Sequence, residues 1–94
     1  MKDLIRAGER LDDLNVKGYY LIQDPAGFCF GLDAVLLVHF AKARSEEMIL
    51  DIGTGTGIIP ILMAAYYPDT TYRAIELQAK YADMSGRSVR YNHL

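Results

Sequence analysis

The sequence predicts an α/β fold built on a parallel βαβ unit, and three observations carry that expectation. Met48-Ile49-Leu50 is a short apolar run of the kind a buried parallel strand shows. Directly after it, Asp51-Ile52-Gly53-Thr54-Gly55-Thr56-Gly57 crowds three glycines into a strand-to-helix turn. Tyr72-Arg73-Ala74-Ile75 then reads as a second strand ending on an acid, Glu76. A glycine-rich first turn with an acid at the tip of strand two is the arrangement that binds nucleotide-like cofactors.

Residues 1–17 mix charges, with Leu4, Ile5, Leu11 and Leu14 at loosely helical spacing. Gly18 to Gln23 is rich in aromatic and β-branched residues and predicts a strand. Asp24-Pro25-Ala26-Gly27 carries the residues a type I turn favours, so Phe28-Cys29-Phe30 is expected to return as the second arm of a hairpin. Asp33 is a candidate N-cap for a helix from Ala34 to Ala43, and Arg44 to Glu47 forms a polar loop. Ile58 to Tyr67 predicts a helix that is apolar on nearly every face and needs cover all round. Pro60 is tolerated there, because first-turn amides lack intrahelical partners.

The last predicted helix runs from Gln78 to Tyr91. Ala79, Ala82, Gly86 and Val89 form a small-residue stripe expected to face the sheet, with close packing compensating for Gly86. Lys80, Asp83, Arg87 and Arg90 form an adjoining stripe expected to be solvated, and Asn92 is expected to end the helix in a left-handed conformation.

With 94 residues the chain holds one domain at most, divided here into an N-terminal segment, 1–44, and the first half of a cofactor-binding domain, 45–94. A complete doubly wound sheet does not fit after Glu46, since each βαβ unit takes ~30 residues. The chain therefore reads as the front portion of a larger enzyme. A net charge of −2 gives no sign of nucleic-acid affinity; the bases Arg73, Lys80, Arg87 and Arg90 outnumber Glu76 and Asp83 locally, as on a solvated helix face. The lone Cys29 forbids an internal disulfide, suits a cytoplasmic location and reads as a small buried hydrophobe. Charged residues interrupt the N-terminus as a signal peptide, and no run approaches the ~20 apolar residues of a membrane span.

The glycine spacing and Asp51 decide among cofactors. The spacing is G-x-G-x-G, with Ile58 where a dinucleotide pattern needs its last glycine. A carboxylate beside the turn opposes a pyrophosphate but favours a ligand bearing an ammonium and a sulfonium, as S-adenosylmethionine does. No Lys-Ser or Lys-Thr follows, so a phosphate-cradling loop is unsupported, and a nicotinamide enzyme ranks below the S-adenosylmethionine reading. Glu76 lies nineteen residues past Gly57, near the ~20-residue offset of a ribose-binding acid. Asp51 as a strand-end acid that only braces the turn is the plain alternative.

The chain resembles the N-terminal part of the bacterial valine-tRNA adenine methyltransferase family through GERLDDL (8–14), IQDPAGFCFGLDAVLL (22–37), LDIGTGTGIIPILMA (50–64) and AIELQ (74–78). That resemblance implies a Rossmann-like class I methyltransferase fold, incomplete here, with its first two core strands and helices preceded by a hairpin and helix. It implies S-adenosylmethionine as cofactor and tRNA as substrate of the full-length enzyme. Asp51, Gly53, Gly55 and Gly57 would line the methionine portion, with Thr54 and Thr56 as loop donors. Glu76 would bind the ribose and Leu77 border the adenine. Asp33, with Phe30 and Gly31, matches a segment that closes over the cofactor, beside its plain role as a cap. Phe28 and Phe30 read as core aromatics, and His39 as a satisfied structural histidine rather than a base.

The family's Asn-Pro-Pro-aromatic motif is absent, since the prolines are Pro25, Pro60 and Pro68. The chain alone is therefore expected to be catalytically silent, whether or not it holds the cofactor. The competing reading is a standalone ligand-binding or self-associating module, joined through exposed sheet edges and uncovered apolar surface.

Overall fold

The computed structural model describes residues 4–27 and 29–94. Its chain order is β1 (Arg10–Asp13), β2 (Tyr20–Gln23), α1 (Leu32–Phe40), β3 (Met48–Ile52), α2 (Ile58–Tyr66), β4 (Thr71–Ile75) and α3 (Ala79–Tyr91). The result is a small α/β structure with three helices and two two-stranded sheets among the described residues.

The hairpin forms, but with the other neighbour. β2 pairs antiparallel with the upstream β1, Arg10 opposite Gln23 and Asp13 opposite Tyr20, where loose helical spacing had suggested no strand. Cys29 and Phe30 are not in a strand, and Phe28 lies outside the described residues. The cause is the connection Asn15–Gly18. Tyr19 N–H donates to Val16 O at 3.0 Å, and Lys17 and Gly18 between them have φ of 56° and 69°. That mirror-image turn matches the twist of a hairpin, which an ordinary type I turn does not. The Asp24–Gly27 turn does close as expected, with Gly27 N–H on Asp24 O at 3.0 Å, and it ends β2 rather than joining two strands.

Helix α1 begins two residues earlier than expected and ends at Phe40 rather than Ala43. Its N-cap is Gly31, with no side-chain cap, and Asp33 sits inside the first turn, where its charge complements the helix dipole. His39 is exposed, and its ring meets Tyr66 at 5.3 Å between centroids, so it is a surface residue and not part of the core.

β3 and β4 form the expected parallel pair around α2, with Asp51 beside Ala74 and Ile52 beside Ile75. Neither strand is buried on both faces. Met48, Leu50, Ile52 and Ile75 are exposed, because α2 covers only one side of a sheet two strands wide. α2 itself is covered nearly all round: Ile58, Pro60, Ile61, Leu62, Met63 and Ala65 are buried. The core gathers Leu21 of β2, Val38 of α1 and Ile58, Ile61, Leu62 and Met63 of α2 into one cluster. Fully burying side chains of this size stabilises by ~1.5–3 kcal/mol each.

Helix α3 turns a different face inward than its small-residue stripe suggested. Ala79 and Ala82 are exposed, whereas Met84, Arg87 and Ser88 are buried. Its partner is the free edge of β2. Ser88 Oγ accepts the Ile22 N–H at 2.9 Å, and Asn92 Oδ1 accepts the Tyr20 N–H at 2.8 Å while its Nδ2 donates to Tyr20 O at 2.7 Å. Four helical residues rise ~6 Å and two strand residues ~6.6 Å, so side chains spaced i, i+4 can serve alternate strand amides. Asn92→Ala should destabilise the chain by about 1–3 kcal/mol in urea unfolding, because a buried edge loses both its donor and acceptor partner.

The end of α3 also differs. Asn92 has φ −89°, and the left-handed residue is His93 at 59°. Leu94 N–H reaches Val89 O at 3.0 Å and His93 N–H reaches Arg90 O at 3.1 Å, which makes a Schellman cap.

Gly86 has no close neighbour to justify it. A Cβ there would meet only Arg90 Nη1, at 3.6 Å. Gly86→Ala should therefore stabilise the chain by ~0.5–1 kcal/mol, read as a raised urea midpoint at constant slope.

Arg87, expected in solvent, is buried instead. It forms a fork to Glu9, Nη1–Oε1 at 2.5 Å and Nη2–Oε2 at 2.7 Å, donates Nε to Asp83 Oδ2 at 2.9 Å, and reaches Leu4 O at 2.7 Å. This network ties the N-terminal segment to α3.

Candidate functional site

Parallel pairing puts the carboxyl ends of β3 and β4 side by side, and the chemistry-bearing residues gather there. The glycine turn leaves β3 and feeds α2, while Glu76 follows β4 directly. Gly53, Gly55 and Gly57 all have positive φ, at 76°, 60° and 89°. An L side chain is strained in that region, which accounts for the glycines by backbone geometry. They differ in surroundings. A Cβ on Gly53 would meet nothing within 4 Å, whereas one on Gly57 would stand 3.0 Å from Ser85 Cβ. Gly53 thus leaves room for a ligand, and Gly57 lets α3 approach the start of α2.

The loop's own amides are largely spent within the fold. Gly53 and Thr54 N–H both donate to Ile75 O, at 2.8 and 3.0 Å, and Gly57 N–H donates to Thr54 O at 3.0 Å. Gly55 N–H donates to Glu76 Oε1 at 2.8 Å. Pro60 adds no amide to the first turn of α2. A phosphate cradle needs several free N–H groups aimed at one point. This turn is poor in them. Thr54, expected as a loop donor, has only its hydroxyl to offer.

Glu76 is the best-held acid of the group. Oε1 takes Gly55 N–H and Oε2 takes Gln78 N–H at 3.0 Å. Those two amides, Gln78 first, hold its carboxyl below the ordinary value of 4.5. Each oxygen keeps a second lone pair for a further donor. Leu77 beside it is 98% exposed, an apolar side chain with nothing yet against it.

Three buried polar atoms in the turn lack partners among the described residues: Asp51 Oδ2, Thr54 Oγ1 and Thr56 Oγ1. Buried polar groups are nearly always satisfied, and these three unpaired atoms fall within six positions of one another. Asp51 lies on the face of β3 that α2 covers, as the alternation of exposed Leu50 and Ile52 dictates.

Asp33 is not drawn into this group. It is exposed in the first turn of α1, and among the described residues no hydrogen bond joins it to the loop. An open cleft of about 400 Å³ also lies elsewhere, between α2, β4 and the end of α3, lined by Tyr19, Ile61, Tyr72, Val89 and Leu94 among others. It is apolar and holds none of the predicted site residues. No group of His, Cys, Asp and Glu among the described residues could hold a metal ion, and no helix is long and apolar enough to cross a membrane.

Comparison with known proteins adds a relationship to this geometry. No family model matches the chain. It is 28% identical over 81 residues to the tRNA1(Val) (adenine(37)-N6)-methyltransferase of Cronobacter sakazakii, covering 85% of this chain and 33% of that protein. The protein of the same name from Histophilus somni (strain 129Pt) is 32% identical over 66 residues, 69% of this chain and 28% of that one. One from a Flavobacteriaceae bacterium is 29% identical over 77 residues, 82% and 33% respectively. The chain spans about a third of the length of the curated relatives it matches.

Proposed function

This chain is a sequence relative of the tRNA1(Val) (adenine(37)-N6)-methyltransferase family, and from that premise we propose that it is the S-adenosylmethionine-binding portion of a methyltransferase acting on the exocyclic amine of an adenine in tRNA. The observation that carries the reading is the set of orphaned atoms on Asp51, Thr54 and Thr56 beneath a glycine turn whose amides are already engaged. Such a turn lacks donors for a pyrophosphate yet offers a carboxylate and two hydroxyls to an ammonium-bearing ligand. The donor set therefore fits this cofactor. Asp51 would take the ammonium of its methionine portion, Gly53 would give it room, Gly55 and Gly57 would shape the turn, and Glu76 would accept the ribose hydroxyls. Leu77 would lie against the adenine, and Asp33 would close over the cofactor from α1. When bound, the cofactor supplies a methyl group made electrophilic by the sulfonium; these residues hold and orient it.

In this reading residues 1–44 are an N-terminal segment packed on a Rossmann-like half-domain, 45–94, in the cytoplasm. The 94 residues contain no Asn-Pro-Pro-aromatic motif to hold an adenine amine, so they bind the cofactor without turnover, because methyl transfer depends on positioning its two reactants. Calorimetric titration with S-adenosylhomocysteine and with NAD tests the assignment. Tighter binding of S-adenosylhomocysteine is expected; tighter binding of NAD would overturn it. Methylation of unmodified tRNA by the 94-residue chain would overturn the second statement.

The exposed Met48, Leu50, Ile52 and Ile75 support a second reading, self-association through the open sheet face. Sedimentation that shifts with concentration at micromolar protein is its expected signature.

A further inference from the structure

Gln23 closes β2 and is only 1% exposed, although it is polar. Among the described residues, no hydrogen bond joins it to the glycine turn. Its amide faces two ways. Oε1 accepts the Phe30 N–H at 3.0 Å, and Nε2 donates to Asp12 Oδ2 across the hairpin. A backbone N–H can only donate and a carboxylate can only accept, so a single orientation of this amide satisfies both. Asp12 is in turn held by Arg10 Nε at 2.8 Å.

Phe30 is the residue from which the chain enters Gly31, the N-cap of α1, and Asp33 stands in that helix's first turn. Helix α1 packs on α2, whose first turn issues from the glycine loop. One buried side chain thus links the hairpin to the start of α1. We infer that Gln23 is a positioning residue: it fixes the Phe30–Asp33 entrance to α1 against the hairpin, and with it the Asp33 that the cofactor reading has close over the ligand. The consequence for binding rests on the cofactor reading above. An apolar residue of equal size would strand the Phe30 amide, which would pull toward water, and would leave the Asp12 carboxylate to Arg10 alone.

The protein carries its own reporter, since its one cysteine, Cys29, adjoins Phe30 and is half-buried with Sγ donating to Asp24 O at 3.5 Å. The experiment compares wild type with Gln23→Met at a temperature where circular dichroism shows both folded. It reads the rate at which an aromatic disulfide reagent labels Cys29 and the calorimetric affinity for S-adenosylhomocysteine. In Gln23→Met, labelling about tenfold faster and binding about tenfold weaker are expected, the range for a lost buried hydrogen bond. Should that variant not fold, Gln23→Asn, one methylene too short to reach both partners, carries the same measurements. Wild-type labelling and affinity in a variant that has lost only thermal stability would overturn the inference. Faster labelling in a chain whose wild type does not bind S-adenosylhomocysteine would sink the cofactor reading and uphold the hold on α1.

Discussion

Glu76→Ala is expected to weaken S-adenosylhomocysteine binding by ~10–100-fold, the range for hydrogen bonds to a charged group. The carboxylate does two things at once. It offers remaining lone pairs outward, and it holds the Gly55 amide at 2.8 Å, so the glycine turn and the acid keep a constant distance before any ligand arrives. Alanine removes both the acceptor and that constraint. Glu76→Gln tells whether charge or shape matters. An amide must present its NH₂ to either the Gly55 or the Gln78 N–H, donor against donor, so it should bind almost as poorly as alanine. Full affinity in the glutamine variant would show that the carboxylate's bonding to these amides has no bearing on the site.

Arg87→Met should be the most destabilising single change in the chain, by about 3–5 kcal/mol in urea unfolding, the loss typical of breaking a buried ion pair. The side chains of Arg87 and Glu9 are 4% and 9% exposed, so neither charge can turn to water when its partner goes. Against a total stability of ~5–15 kcal/mol this leaves much of the population unfolded on warming. The double variant Glu9→Gln with Arg87→Met should recover part of the loss, because no bare carboxylate then remains. Acid should report the same pair. The hydrogen bond from Arg87 holds the Glu9 carboxyl below its ordinary 4.5. A depressed folded value contributes stability that is fully present above the unfolded value and disappears as pH falls through the lower folded one. Arg87→Met should lack that part of the acid limb.

The glycine turn was readable because its causes are local. Three positive φ angles at Gly53, Gly55 and Gly57 require glycine whatever surrounds them, and the parallel pairing of Met48–Ile52 with Thr71–Ile75 follows from two apolar runs with a helix between. The cover expected around α2 was equally visible, because its apolar residues leave no face for water. The hairpin partner carries a local signal too: Asn15 and Gly18 sit between Arg10–Leu14 and Tyr19–Gln23, the composition of a mirror-image turn, and that turn rather than Asp24–Gly27 joins the two strands. Asp33 could serve as a cap or as a first-turn acid on its residue type alone, and the chain chose the second by starting α1 at Leu32.

Residue order by itself determined the βαβ unit, the shape of the glycine turn and the acid at its far side, since each is announced by the composition of a short contiguous run: two apolar strands, three glycines and an acid closing the second strand. Only the folded chain decided that Arg87 is a buried anchor rather than a solvated base, that Ser88 and Asn92 close the edge of β2, and that Gln23 holds the entrance to α1. Each of those roles is a polar group meeting a partner elsewhere in the chain, up to 83 positions away for Arg87 and Leu4. A charged or amide side chain carries no mark of whether it will face water or a distant partner. Burial supplies that answer, by making the unpaired alternative cost more than the pairing.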